Sequence, residues 1–245
     1  MRIQYLSDIH LEHLVDPNTV LEGLYKEATN FPDVLILAGD ICDPIDNFDL
    51  YKIFSDHANV VLYVPGNHEY YGHSFEEVKK QFELLEARVP NFFVLDNKIV
   101  ETHGKRFVGS TMWFDTDNYL VPLLKNYLND YRQIKNFSEE IRQIEKDCTE
   151  FLYDSVEEGD FVITHHLPDF QSVSPFYTHE KTNCFYVKDM GSLIRDRKPA
   201  YWFHGHTHDS VDYQFQDTRV LANPLDYPRF WGDQVAKKFQ TSFKA

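Results

Sequence analysis

Five apolar runs in this chain each end in a short loop that carries carboxylate, imidazole or amide side chains. The loops are SDIH (7–10), GDICD (39–43), GNHE (66–69), THH (164–166) and GHTH (205–208). Runs such as VLILA (34–38) and VVLYV (60–64) are continuously apolar and do not alternate. Strands buried on both faces have that pattern, and they belong to layered α/β folds. In open α/β sheets, ligands gather beyond the C-terminal strand ends. Five strands ending on one edge would bring the five loops to one place.

The strand-like runs are Ile3–Leu6, Val34–Ala38, Val60–Val64, Phe92–Leu95, Phe107–Gly109, Phe161–Thr164, Tyr201–Phe203, Val211–Phe215 and Arg219–Ala222. Phe75, Val78, Phe82 and Leu85 share a helical face, and Ser74 with Glu77 forms a capping box ahead of it. Ile141, Ile144, Cys148, Phe151 and Leu152 mark a second helix over roughly 138–157. Val20, Leu21, Leu24 and Ala28 mark a third. The early strand–helix alternation points to α/β layering, and the strand-rich C-terminal third to a second sheet. Residues 115–157 carry no motif and read either as a helical insertion capping the site or as an outer helix layer. With no repeat and no Gly/Ser linker, residues 1–245 read as one domain.

The chain has 24 Lys+Arg against 39 Asp+Glu, a net charge of −15. So acidic a surface has no general attraction for nucleic acid or anionic lipid. Cys42, Cys148 and Cys184 form neither a disulfide framework nor a zinc pattern. The opening residues already read as a strand and a motif, which leaves no room for a signal peptide. No apolar run approaches the ~18 residues of a membrane span. A cytoplasmic protein without membrane association is the expectation.

Singly, the loops are weak signals. Asp8 and His10 would point to one side of an extended segment, but an ordinary turn is the commoner account of such a pair. Asp40 ends a buried strand, where a carboxylate is costly unless paired or metal-bound; a helix-capping turn is the alternative. Gly39 would let the backbone approach an ion. Asn67 offers a carbonyl oxygen. His165 ends its strand and competes with its neighbour His166 as a ligand. His206 and His208, with His204 just before, form the most specific cluster.

Together and in this order, the motifs resemble those of the calcineurin-like metallophosphoesterase superfamily, over most of the chain from Asp8 to His208. The resemblance implies a four-layer α/β/β/α sandwich with two mixed sheets and a dinuclear metal centre. By that likeness Asp8, His10, Asp40 and His208 hold one ion. Asp40 bridges to a second, which Asn67, His165 and His206 complete. The stretch ANPLDYPRFW (222–231) resembles the closing segment of bacterial members and is otherwise left to packing.

Oxygen and imidazole donors suit two divalent ions, Mn²⁺ first, with Fe or Zn²⁺ as alternatives. Paired ions ~3.5–4 Å apart lower the pKa of water from ~15.7 to about 7. Such a centre is net positive and suits hydrolysis of phosphate mono- or diesters of a small metabolite or nucleotide. His68, beside a ligand but not needed as one, is the expected general acid. Asp43 resembles the family aspartate that pairs with it; a helix N-cap is the alternative. Tyr70, Tyr71, Trp113, Phe114 and Arg132 are candidate substrate contacts, with core packing or a solvated charge as the better-founded account of each. The motif set also resembles cyclic-nucleotide phosphodiesterases and repair nucleases, though the net charge opposes a nucleic-acid substrate. A scaffold that keeps the fold without catalysis is the reading from a different class.

Overall fold

The computed structural model describes residues 1–26, 31–45 and 47–245. Strands β1 (Arg2–Leu6), β2 (Val34–Ala38), β3 (Val60–Val64) and β4 (Phe92–Val94) pair in parallel. A second sheet follows from β5 (Lys98–Thr102), β6 (Lys105–Ser110), β7 (Phe161–Thr164), β8 (Tyr201–Phe203), β9 (Val211–Phe215) and β10 (Thr218–Ala222), in the order β5-β6-β7-β8-β10-β9. Its four central strands are parallel and its two outer strands antiparallel. The C-terminal β11 (Ser242–Lys244) returns to pair antiparallel with β1, giving the first sheet the order β11-β1-β2-β3-β4. Both sheets are therefore mixed.

Side chains alternate faces along a strand, and here both faces are apolar. On β2, Val34, Ile36 and Ala38 pack with Phe107, Phe161, Ile163 and Phe203 of the other sheet. Leu35 and Leu37 join the opposite cluster, with Leu21, Phe54 and Phe82 from the helices α1 (Pro17–Lys26), α2 (Phe48–Asp56) and α3 (Phe75–Arg88). The outward residues of the second sheet, Val108, Val162, Trp202 and Val220, pack against Leu152, Leu193 and Ile194. The layers are therefore helix, sheet, sheet, helix, as expected. Of the expected α1 face, Ala28 lies outside the described residues.

Further along the chain come the helices α4 (Val121–Leu124), α5 (Asp130–Gln133), α6 (Phe137–Ser155), α7 (Gly191–Arg197) and the terminal α8 (Val235–Phe239). The capping box ahead of α3 is formed in both directions, Ser74 accepting from the Glu77 amide and Glu77 from the Ser74 amide. Ser74→Ala should lower stability by about 1 kcal/mol, read as a shift in urea midpoint at unchanged slope. The three cysteines are buried and unpaired. No described helix is long and apolar enough to cross a membrane.

Candidate metal centre

The five ligand-bearing loops follow β1, β2, β3, β7 and β8, three from one sheet and two from the other. Their backbones are stitched together. Asp8 N–H donates to the Gly39 carbonyl at 3.0 Å, Ile9 N–H to Asp40 at 2.8 Å, and Gly205 N–H to His165 at 3.0 Å. The buried Glu69 carboxylate accepts the amides of Asp40 (3.0 Å), Ile41 (2.7 Å) and Gly66 (2.7 Å), clamping the second loop to the third. Burial and the neighbouring Asp40 push Glu69 up to about 7 even so.

Asp8, His10, Asp40, His206 and His208 all have φ between 48° and 66°. Asp8 and His10 therefore do not lie on the extended segment expected from their spacing. A left-handed backbone at both turns them inward instead. Asp and His tolerate this region better than most residues, but it still stores strain of about 1–3 kcal/mol each, which concentrates at functional sites. Gly39 also acts differently from expectation. A Cβ there would collide with the His165 ring, so the glycine makes room for an imidazole.

The structure brings six of the seven expected ligands together in two groups, with Asn67 beside the second. Donor atoms of Asp8, His10 and His208 lie within 4.8 Å of one another, and so do those of Asp40, His165 and His206. The GHTH loop thus sends its two histidines to different groups. Asp40 Oδ2 stands between them, 3.4 Å from His165 Nε2 and 3.9 Å from His10 Nε2. Asn67 Oδ1 is 3.2 Å from His165 Nε2. His204 is no part of either group: its Nε2 meets Ser172 Oγ at 2.9 Å.

Outer partners hold the donors in place. His165 Nδ1 donates to the Ala38 carbonyl at 2.9 Å, and His208 Nδ1 sits 2.7 Å from Asp226 Oδ1. His10 Nδ1 is 3.1 Å from Glu12 Oε1. Asn67 Nδ2 donates to Asp130 Oδ1 at 2.9 Å, which turns its carbonyl oxygen toward His165. In each case the group facing outward is satisfied and a lone pair faces in, the arrangement that tunes imidazole and amide ligands. His10 Nε2 and His208 Nε2 then face each other at 3.4 Å.

The residues fit metal. Among the described residues, His206 Nε2 is fully buried without a partner, a loss of about 1–3 kcal/mol that a bound cation would offset. Burial, then His166 and His165, holds this imidazole well below its ordinary range, so its lone pair is available. For His165 burial works in the same direction, but Asp40 outweighs it and pushes the ring up to about 10. The anionic field at this point is strong enough to hold positive charge. His166, the rival ligand, hydrogen-bonds the Thr111 carbonyl through Nδ1, packs against the Trp113 ring and belongs to neither group. Asp226→Ala should weaken metal binding about 10–100-fold with the fold intact, measurable by calorimetric titration.

His68 lies beside the groups, its amide donating to Asp40 Oδ1 at 2.9 Å and its ring 4.3 Å from that of Tyr71. Asp43, expected to pair with it, is engaged elsewhere. Its Oδ2 is 3.1 Å from His73 Nε2 and its Oδ1 accepts the Ile45 amide at 2.8 Å. The carboxylate at His68 is Glu12, with Oε1 3.5 Å from Nδ1. Burial disfavours charge on His68, but Asp40 and Glu12 outweigh it and push the ring up to about 9. Glu12 also serves His10 and approaches His13 at 3.8 Å, so it is the hub of that corner.

Helix α6 buries Phe137, Ile141, Cys148 and Leu152 as an outer layer. The stretch before it supplies Tyr127, Leu128 and Asn129 to a cavity of about 670 Å³ that also meets Asp40, Asn67, His68, His206 and His208. Trp113, Phe114 and Tyr70 are core residues, and Arg132 is exposed and bonds Asn129. Tyr71 does line the cavity, its hydroxyl donating to Asp130 at 2.8 Å. The closing segment left to packing reaches the centre through Asp226 and through Tyr227, whose ring stacks on His10 at 4.2 Å.

Two donor groups around one shared carboxylate, at the parallel edge of a four-layer sandwich, define a candidate two-ion metal centre. Residues 1–210 match the model of the calcineurin-like phosphoesterases, and the chain belongs to that family. An uncharacterized protein, L509, of Acanthamoeba polyphaga mimivirus is 27% identical over 259 residues, covering 93% of this chain and 92% of that one. Among solved structures, the phosphopantetheinyl hydrolase of Mycobacterium tuberculosis superposes with a TM-score of 0.73 at 13% identity, covering 93% and 90% of the two chains. TT1561 of Thermus thermophilus does so with 0.55 at 15% identity, covering 91% and 88%. These two share the fold.

Proposed function

We propose that this chain is a two-metal phosphoesterase that hydrolyses phosphate mono- or diesters of a small metabolite or nucleotide. The carrying observation is Asp40 Oδ2 poised between the two donor groups, with His68 beside it in the wall of the cavity. Asp8, His10, Asp40 and His208 would hold one ion, and Asp40, Asn67, His165 and His206 the other. Oxygen and imidazole donors suit Mn²⁺, with Fe or Zn²⁺ as alternatives. When bound, the ions supply Lewis-acid polarisation of phosphoryl oxygens and lower the pKa of water.

The chain's own residues do the rest. Glu69 and the stitched amides fix the loops, so little reorganisation accompanies reaction. His68, oriented by Glu12, is the general acid that hands a proton to the departing alkoxide. Among the described residues the cavity wall has no Lys or Arg, which favours a small substrate over a nucleic-acid backbone.

A hydrolysis panel with Mn²⁺ tests this reading: p-nitrophenyl phosphate, bis-p-nitrophenyl phosphate, cyclic nucleotides and single-stranded DNA. Turnover of at least one small ester, abolished by chelation and restored by metal, is the expected result. A fully metal-loaded protein inert toward every ester would point to a non-catalytic scaffold.

A further inference from the structure

We infer that the substrate is a phosphodiester whose two organic arms occupy separate cavities meeting at His68. The inference rests on the phosphoesterase reading and refines it. Beside the 670 Å³ cavity lies a second of about 580 Å³. His68, Tyr71, Asn129 and Tyr227 line both, so they form the partition. Each space falls in the ~300–1,000 Å³ range that encloses a drug-sized group. A monoester has one organic arm and would leave one of them unused.

The two spaces differ in chemistry. The first is aromatic at its rim, where Tyr127, Tyr177 and Phe230 stand 75%, 58% and 61% exposed beside Glu180. Exposed rings converging on a cavity offer stacking surface for a planar or extended uncharged arm. The second carries Arg229 and His13 beside Glu12 and Asp43, and suits a polar arm. Among the described residues, Arg229 is the sole Lys or Arg in either lining, whereas Glu12, Asp43, Glu180 and Asp226 bring carboxylates. Walls of that sign disfavour a dianionic monoester or a polyphosphate and admit the single charge of a diester.

The partition places His68 where an ester bond must break. The oxygen of water bonds to phosphorus as the bond from phosphorus to one ester oxygen breaks. That oxygen leaves with the electron pair and takes a proton from His68, giving an alcohol and the phosphomonoester of the retained arm. The proton of the attacking water passes to solvent, from which His68 is recharged.

The test compares kcat/KM of the Mn²⁺-loaded chain for bis-p-nitrophenyl phosphate, the p-nitrophenyl ester of thymidine 5′-monophosphate and p-nitrophenyl phosphate. Both diesters should exceed the monoester by about tenfold or more. In Tyr177→Ala and Arg229→Ala that ratio should fall about tenfold through KM, since each removes a wall of one arm site. Both positions are at or near the surface, so folding should survive. Equal or better use of the monoester, or an unchanged ratio in both variants, overturns the two-arm inference and leaves the phosphoesterase reading standing. Inertness of the metal-loaded chain toward all three overturns both.

Discussion

Asp40→Asn should strip the chain of metal at both groups and reduce ester hydrolysis by at least the ~10²–10⁴-fold that follows loss of a catalytic proton-transfer group. One oxygen of Asp40 lies within 4 Å of imidazole nitrogens from both donor groups, and the other accepts the His68 amide. Burial alone would raise the pKa of this carboxyl, but His165, His68 and His10 hold it well below the usual range. It would therefore be the anion that neutralises bound cations in a buried place, and the amide of Asn cannot replace its charge. Asn still accepts the His68 amide through its carbonyl, so the loop should keep its shape. Circular dichroism should change little while bound metal, counted by elemental analysis, falls. A variant that retains its full metal complement would show that the two groups are held independently.

His68→Ala should separate chemistry from metal binding. Metal content should stay at the wild-type level, because the seven donors and their outer partners are untouched. Turnover of esters with poor leaving groups should fall by about 10²–10⁴, and of p-nitrophenyl esters by much less, since nitrophenolate needs little help from an acid. Glu12→Gln should show a weaker form of the same pattern, because Glu12 faces both His68 and His10. Asp43→Asn should not, because that carboxylate faces His73. If the Asp43 variant were as impaired as the Glu12 variant, the pairing seen in the structure would not be the working one. Equal loss on good and poor leaving groups in His68→Ala would refute the acid role.

The fold was legible where burial writes a strong pattern. β2, β3 and β7 read as unbroken apolar runs because sheet and helix cover both faces, and the observed spans agree with the expected ones. β5 was missed because it is an exposed edge strand of sequence KIVET, with no apolar face to announce it. Its turn at His103 and Gly104, both at positive φ, was the available signal, since such two-residue turns close hairpins. β11 is three residues long and stabilised by pairing with β1, which no local pattern encodes.

The candidate site was legible for a similar reason. Ligands sit on short loops fixed by the strands before them, so their order survives in the sequence. The outer partners do not share that property. Asp130 reaches Asn67 across 63 positions and Asp226 reaches His208 from a segment beyond the matched residues, joined by tertiary packing alone. Glu12 stands only two residues after His10, but its pairing with His68 is likewise made by tertiary packing. Trp113 and Phe114 were the converse case, aromatics whose burial in the core the sequence could not distinguish from a cleft.

The most direct test is electron paramagnetic resonance of the chain titrated with Mn²⁺. Two ions sharing the Asp40 carboxylate should give a spin-coupled spectrum that saturates at two equivalents and vanishes in Asp40→Asn. A six-line spectrum of isolated Mn²⁺ at every loading, or saturation at one equivalent, would contradict the shared centre on which the proposed chemistry stands.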